Sequence, residues 1–146
     1  MYTGIQHFHS YWAYLALILL VITIVNSFLG IKGAKAFTDK DKKLALFTMI
    51  AIHVQFLLGV ILLFISPYWE SMMESGMGEV MKNSLSRMMV VEHPLTNVIA
   101  ITLITIGWSR HKKQDGDSGK FKSIAIFYLI GIILLLSRIP FSSWWS

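Results

Sequence analysis

Four long apolar segments constrain the fold of this chain more than any other feature of its sequence. Each approaches the ~20 residues that a helix needs to cross roughly 30 Å of hydrocarbon. Charged residues make up 14% of the chain, whereas they make up roughly 25% of a soluble domain. The sequence therefore predicts a single all-α membrane domain over residues 1–146, a four-helix transmembrane bundle of up-down-up-down topology. The predicted spans are Ile5–Leu29, Leu44–Ser66, Met88–Trp108 and Ile124–Ile139.

The charged residues are divided unevenly among the three connections. The first and third connections are rich in lysine and arginine, whereas glutamate dominates the second. Because cytoplasmic loops are enriched in Lys and Arg, we expect both basic connections in the cytoplasm and both termini on the periplasmic side of a bacterial inner membrane. The net charge of +5 then reflects topology and not a nucleic-acid surface.

Several kinds of chemistry have no support in the sequence. The chain contains no cysteine, which excludes disulfides, thiolate metal sites and the covalent attachment of c-type haem. We find no catalytic nucleophile, phosphate-binding loop or paired carboxylates. An electron carrier or a subunit of a larger assembly is therefore favoured over a stand-alone enzyme.

Three histidines lie within or at the ends of apolar segments, where ionisable residues are rare and usually functional. At 1.5 Å per residue, His9 lies about 6 Å and His93 about 9 Å below the outer ends of their helices, whereas His53 lies about 20 Å below the same surface. The first and third helices of an up-down bundle are diagonal neighbours. His9 and His93 are therefore predicted to be the two axial ligands of a haem b iron.

Other residues at helical spacing complete the predicted cofactor site. Arg138, near the outer end of the fourth span, is placed to pair with a haem propionate. The small side chains on the His9 face leave room for a porphyrin. The remaining predicted cofactor contacts are Ala13, Ala16, Asn97 and Gly131.

Alternatives remain for each histidine. His9 and His93 are also compatible with structural polar contacts, and His53 with a hydrogen bond to a neighbouring helix or, together with Gln55, with a quinone headgroup site. His111 is expected in a solvated loop. A periplasm-facing copper site would use His7, His9 and the methionines of the outer connection, because thioethers suit soft metals. Those methionines are Met73, Met77 and Met81, expected along one short amphipathic helix.

Four stretches of the sequence carry a resemblance. They are His7-Phe8-His9-Ser10-Tyr11, Ala51 to Gly59, Val91-Glu92-His93 and Lys122 to Tyr128. Together they resemble a family of small bacterial four-span proteins labelled cytochrome B, over nearly the whole chain. Gln55 to Gly59 and His93 are more loosely similar to one half of haem A synthase, but the Glu-His-x-x-His-Arg element of that enzyme is absent. The resemblance implies a b-type haem bundle, without haem hydroxylation.

The combined prediction is a multi-pass haem protein that transfers single electrons between quinol and a partner complex. The alternatives are a non-redox accessory subunit of a larger membrane complex, whose histidines make interhelical contacts, and the copper-handling protein. A homo-oligomer is compatible with either.

Overall fold

The computed structural model describes residues 1–144 and is helical, with no strand in that range. Four long helices dominate it, and three short helices and a π-helical turn lie between the second and third of them. This confirms the predicted all-α class. The helices are α1 (Tyr2–Lys32), α2 (Asp39–Ile65), α3 (Pro67–Ser75), α4 (Met77–Lys82), α5 (Ser84–Arg87), α6 (His93–Lys112), α7 (Asp117–Ser137) and α8 (Phe141–Trp144), with the π-helical turn at Met88–Glu92.

Four helical segments are long and apolar enough to cross a membrane, which identifies a multi-pass membrane protein. They are α1, α2, the continuous stretch Ser84–Lys112 and α7. Most of them extend beyond the predicted spans, because the helices continue into the charged residues at their ends. The fourth, for example, starts at Asp117 and not at Ile124.

A capping box determines where α2 begins. The Thr38 backbone N–H donates to Asp41 Oδ2 at 2.8 Å, and the Thr38 side chain accepts from the backbone of the same residue. The other carboxylate oxygen of Asp41 accepts from Asn26 Nδ2 at 2.8 Å, which ties this end of α2 to α1. At its far end, α2 stops at Ile65, and Ser66 caps α3.

The long helices pack in a ring: α1 against α2, α2 against α6, α6 against α7 and α7 against α1. Hydrogen bonds between helices support this packing, which in lipid cannot rely on the hydrophobic effect. The buried hydroxyls of Thr23 and Thr48 form a hydrogen bond, with 2.6 Å between their Oγ1 atoms. Tyr128 Oη donates to the Ala45 carbonyl at 2.9 Å.

Glycines allow close approach of neighbouring helices. A Cβ on Gly131 of α7 would lie 2.5 Å from Ile104 Cγ1 of α6, and one on Gly107 of α6 would lie 2.5 Å from Phe127 Cβ of α7. The backbones of α6 and α7 are therefore closer than alanine at either position would permit.

Two local expectations are wrong. His111 is buried in the last turn of α6, where its Nδ1 donates to the Trp108 carbonyl and its ring packs against Phe37, so it is not a solvated loop residue. The outer methionines do not follow one helix, because Gly76, with a φ of 86°, separates α3 from α4. Met73 therefore belongs to a different helix from Met77 and Met81, and all three are exposed.

Candidate functional site

A cavity of about 180 Å³ lies at the end of the bundle where α1 begins and α2 ends. Its lining is largely apolar and comes from all four long helices, from α3 and from α8. The lining includes Ala13 and Ala16, two of the residues expected to contact a cofactor beside His9. His9, His93 and Asn97 line the same cavity.

The His9 and His93 rings converge across this cavity. Their centres are 6.4 Å apart and their planes are nearly perpendicular, at 89°. A metal ion bound by one nitrogen of each ring requires ring centres roughly 6 Å apart, since each metal–nitrogen bond is about 2.0–2.1 Å. The structure thus brings together the two histidines that were predicted at similar depth, with a spacing that suits a shared metal.

Hydrogen bonds determine which nitrogen of His93 is available as a ligand. Its Nδ1 lies 2.7 Å from the Arg138 carbonyl, which can only accept, so Nδ1 carries the proton. Nε2 therefore carries the lone pair and accepts from Asn97 Nδ2 at 3.1 Å. The oxygen of the same carboxamide, Asn97 Oδ1, is buried and has no hydrogen-bond partner within residues 1–144. A backbone carbonyl on Nδ1 is a common way to orient a metal-ligating imidazole.

Residues of α2 surround the His9 ring. Gln55 Nε2 donates to the His9 carbonyl at 2.9 Å and lies 3.5 Å from His9 Nε2. A Cβ at Gly59 would lie 3.2 Å from His9 Cε1, so glycine makes room for the ring. Both His9 Nδ1 and Gln55 Oε1 are buried without a hydrogen-bond partner in the described part of the chain. Most buried polar atoms in proteins have a hydrogen-bond partner, and a ligand, water or ion in the cavity would supply one for these two atoms.

The backbone immediately before His93 departs from α-helical geometry. The His93 N–H bonds to the Met88 carbonyl five residues earlier, which is the π-helical pattern, and Pro94 has no N–H to continue an α-helical ladder. An ion pair of 3.2 Å between Arg87 and Glu92 spans this turn. Such turns occur frequently at functional sites, and this one fixes where His93 enters the cavity.

His53 and Gln55 do not share a site. His53 is on the exposed side of α2, where Nδ1 donates to the Met49 carbonyl at 2.8 Å and Nε2 lies 3.4 Å from Thr105 Oγ1 of α6. The Thr105 hydroxyl donates to the Ile101 carbonyl at 2.7 Å, so its approach to His53 is a polar contact between α2 and α6, the kind expected of a structural histidine. Gln55, two residues later, faces His9 instead, and with Gly59 it occupies one face of α2. Their i, i+4 spacing is the sequence signal that could have identified this face.

Two predicted cofactor contacts lie outside the cavity lining. Gly131 faces Ile104, so its function is helix packing. The Arg138 side chain is exposed and donates from Nη1 to the Ser137 carbonyl at 2.8 Å. The chain turns at this residue after α7 ends, so the backbone carbonyl of Arg138, and not its guanidinium, reaches His93. His7 is also exposed and outside the lining.

The donor set limits which metal group could bind. No cluster of three or more His, Asp or Glu side chains that could hold a metal ion occurs among the described residues. Two imidazoles alone suit a group that brings its own equatorial donors, and haem is such a group. The facing rings, the unpartnered His9 Nδ1 and the small residues Ala13, Ala16 and Gly59 fit this requirement.

Protein-family models, curated proteins and solved structures were compared with the chain, and none matches it.

Proposed function

We propose that this chain is a b-type haem protein of a bacterial inner membrane that transfers single electrons from quinol to a partner complex. One observation carries the proposal: imidazoles from α1 and α6 face each other at 6.4 Å inside a largely apolar cavity. Ionisable residues of two different transmembrane segments seldom converge in an apolar environment without a function.

The residues of the chain would bind and orient the cofactor. His93 offers Nε2, because the Arg138 carbonyl holds the proton on Nδ1. His9 supplies the second imidazole, and Gln55 holds the backbone at that position. Bound haem b supplies a reversible one-electron change at its iron. The apolar lining excludes water and limits side reactions.

The orientation of the bundle belongs to the same proposal. Up-down-up-down topology with the basic connections in the cytoplasm puts both termini and the histidine cavity on the periplasmic side. Electrons would then be exchanged near the periplasmic surface, within reach of quinol dissolved in the bilayer.

Spectroscopy of three histidine variants tests the haem site. Protein purified in detergent should give the reduced-minus-oxidised spectrum of a low-spin, six-coordinate b-type haem. His9→Ala or His93→Ala should abolish this spectrum or convert it to a five-coordinate form, because one axial ligand is lost.

His53→Ala is the matched control, because His53 is also a histidine of a transmembrane helix but faces away from the cavity. It should retain the spectrum. A flat difference spectrum in the unsubstituted protein, or loss of haem only in His53→Ala, would falsify the proposal.

A further inference from the structure

The cavity changes in character from its depth to its mouth. Deep in the bundle the lining is aliphatic, with residues such as Ile52 and Ile101. Toward the end where α1 begins, hydroxyl and amide side chains lie among aliphatic ones such as Leu63 and Pro140. No Asp, Glu, Lys or Arg side chain is among the described residues that line this cavity. The polar residues of the mouth are Tyr2, Gln6, Ser10, Ser66, Tyr68 and Ser143.

Two phenols from different helices line this mouth. Tyr2 is the first residue of α1 and Tyr68 is the second residue of α3, and both are half-buried. Tyr2 lies seven residues before His9, which is about 10 Å along the helix axis.

Helix dipoles give the mouth of the cavity a preference for negative charge. Both α1 and α3 start here, so the positive ends of two helix dipoles are at the mouth. A phenol hydroxyl donates a short, charge-assisted hydrogen bond to a carboxylate. Arg138, the cation predicted for this role, has its guanidinium hydrogen-bonded to the Ser137 carbonyl outside the cavity.

We infer that the mouth is a carboxylate subsite in which the hydroxyls of Tyr2 and Tyr68 bind the two propionates of haem. The inference rests on the proposed haem function and adds which end of the porphyrin faces outward and how its acidic groups are held. The aliphatic depth of the cavity would receive the hydrophobic edge of the porphyrin, and the neutral, donor-rich mouth would receive its charged edge.

Titration with two porphyrins separates carboxylate binding from all other contacts. Haem-free protein in detergent is titrated with haem and with haem dimethyl ester, in which both carboxylates are neutral esters. Tyr2→Phe and Tyr68→Phe keep the rings and remove only the hydroxyls. Each variant should bind haem about ten- to hundredfold more weakly, the loss expected for one hydrogen bond to a charged group. Each should bind the dimethyl ester as tightly as the unsubstituted protein does.

Tyr11→Phe is the matched control, because it removes a phenol hydroxyl from a residue that is 70% exposed and outside the lining. It should not change the affinity for either porphyrin. Arg138→Gln removes the guanidinium but keeps the backbone carbonyl that contacts His93, so it tests the rival assignment of the propionates to the arginine. Thermal unfolding of each haem-free variant shows that the fold is retained.

The possible outcomes distinguish the subsite from the haem site itself. A six-coordinate haem spectrum, combined with equal weakening of both porphyrins or with no weakening in the tyrosine variants, would overturn the subsite alone. Weakening of haem in Arg138→Gln only would assign the propionates to the arginine. If the unsubstituted protein binds neither porphyrin, both the haem function and the subsite are wrong.

Discussion

The ring of His93 is held by two hydrogen bonds that give its nitrogens different roles. Nδ1 donates to the Arg138 carbonyl and Nε2 accepts from Asn97. The first bond orients the ring. The second occupies the lone pair of Nε2, so the Asn97 carboxamide would have to turn away if the iron of the proposed haem took this nitrogen as a ligand.

Asn97→Leu should therefore increase haem affinity. Leucine has the same branched arrangement of side-chain heavy atoms as asparagine, and it cannot compete for Nε2. Since a typical hydrogen bond contributes about 0.5–1.5 kcal/mol, we expect haem to bind about two- to tenfold more tightly, as measured by titration of the Soret band. Thr102→Val, which removes a hydroxyl from the exposed side of the same helix, should leave the affinity unchanged. A loss of affinity in Asn97→Leu would instead mean that the carboxamide stabilises bound haem.

For single residues, the depth of a side chain along its helix was easier to predict from the sequence than its direction around the helix axis. The level of His9 and His93 could be predicted because the rise per residue of a helix is fixed. The contact of Gln55 with His9 could not be predicted, because the depth of a residue does not determine its direction around the helix axis. The direction of the Arg138 side chain depends on the turn after α7, for which the sequence has no local signal.

At the level of helices, the close contact between α6 and α7 depends on glycine residues. Gly131 and Gly107 allow the two backbones to approach. Close packing of this kind is a main source of helix association in lipid, where the hydrophobic effect between helices is absent. Gly131 was predicted as a cofactor contact because it shares a helical face with Arg138, and this face turns out to be the one that packs on α6.

Gly131→Ala should destabilise the bundle. The new Cβ would lie 2.5 Å from Ile104 Cγ1, and overpacking of this kind costs about 1–3 kcal/mol. The free energy of unfolding, measured by SDS titration with circular dichroism, should fall by that amount. Gly4→Ala is the matched control, because a Cβ at Gly4 has no atom within 4 Å and alanine favours the helix. Equal stability of both variants would show that α6 and α7 separate at little cost.

For the whole molecule, the asymmetry of charge and the position of the cavity are related. The basic connections, between α1 and α2 and between α6 and α7, are at the end of the bundle opposite to the mouth of the cavity. The number of spans and this asymmetry were predictable, because hydropathy and loop charge act over many residues. The three short helices between α2 and α6 were not, because Gly76 and Asn83 interrupt an otherwise continuous helical pattern.

Cysteine labelling tests the orientation directly, since the chain contains no cysteine. Met77→Cys in the outer connection and Gly116→Cys between α6 and α7 both introduce a thiol at an exposed position. A membrane-impermeant maleimide added to spheroplasts should label Met77→Cys at once and Gly116→Cys only after permeabilisation. The reverse order of labelling would place the histidine cavity on the cytoplasmic side.

The end of α7 and the residues that follow it complete the wall of the cavity. The wall of the cavity includes Leu135, Ile139 and Pro140, which follow the last span or end it, together with residues from the first turn of α1. An incomplete polypeptide that has inserted its first three spans has His9 and His93 but lacks this wall and the carbonyl that orients His93. If the cavity holds haem as proposed, its insertion would therefore be a late step, after biosynthesis of the final helices, and a protein truncated before Arg138 should not retain haem.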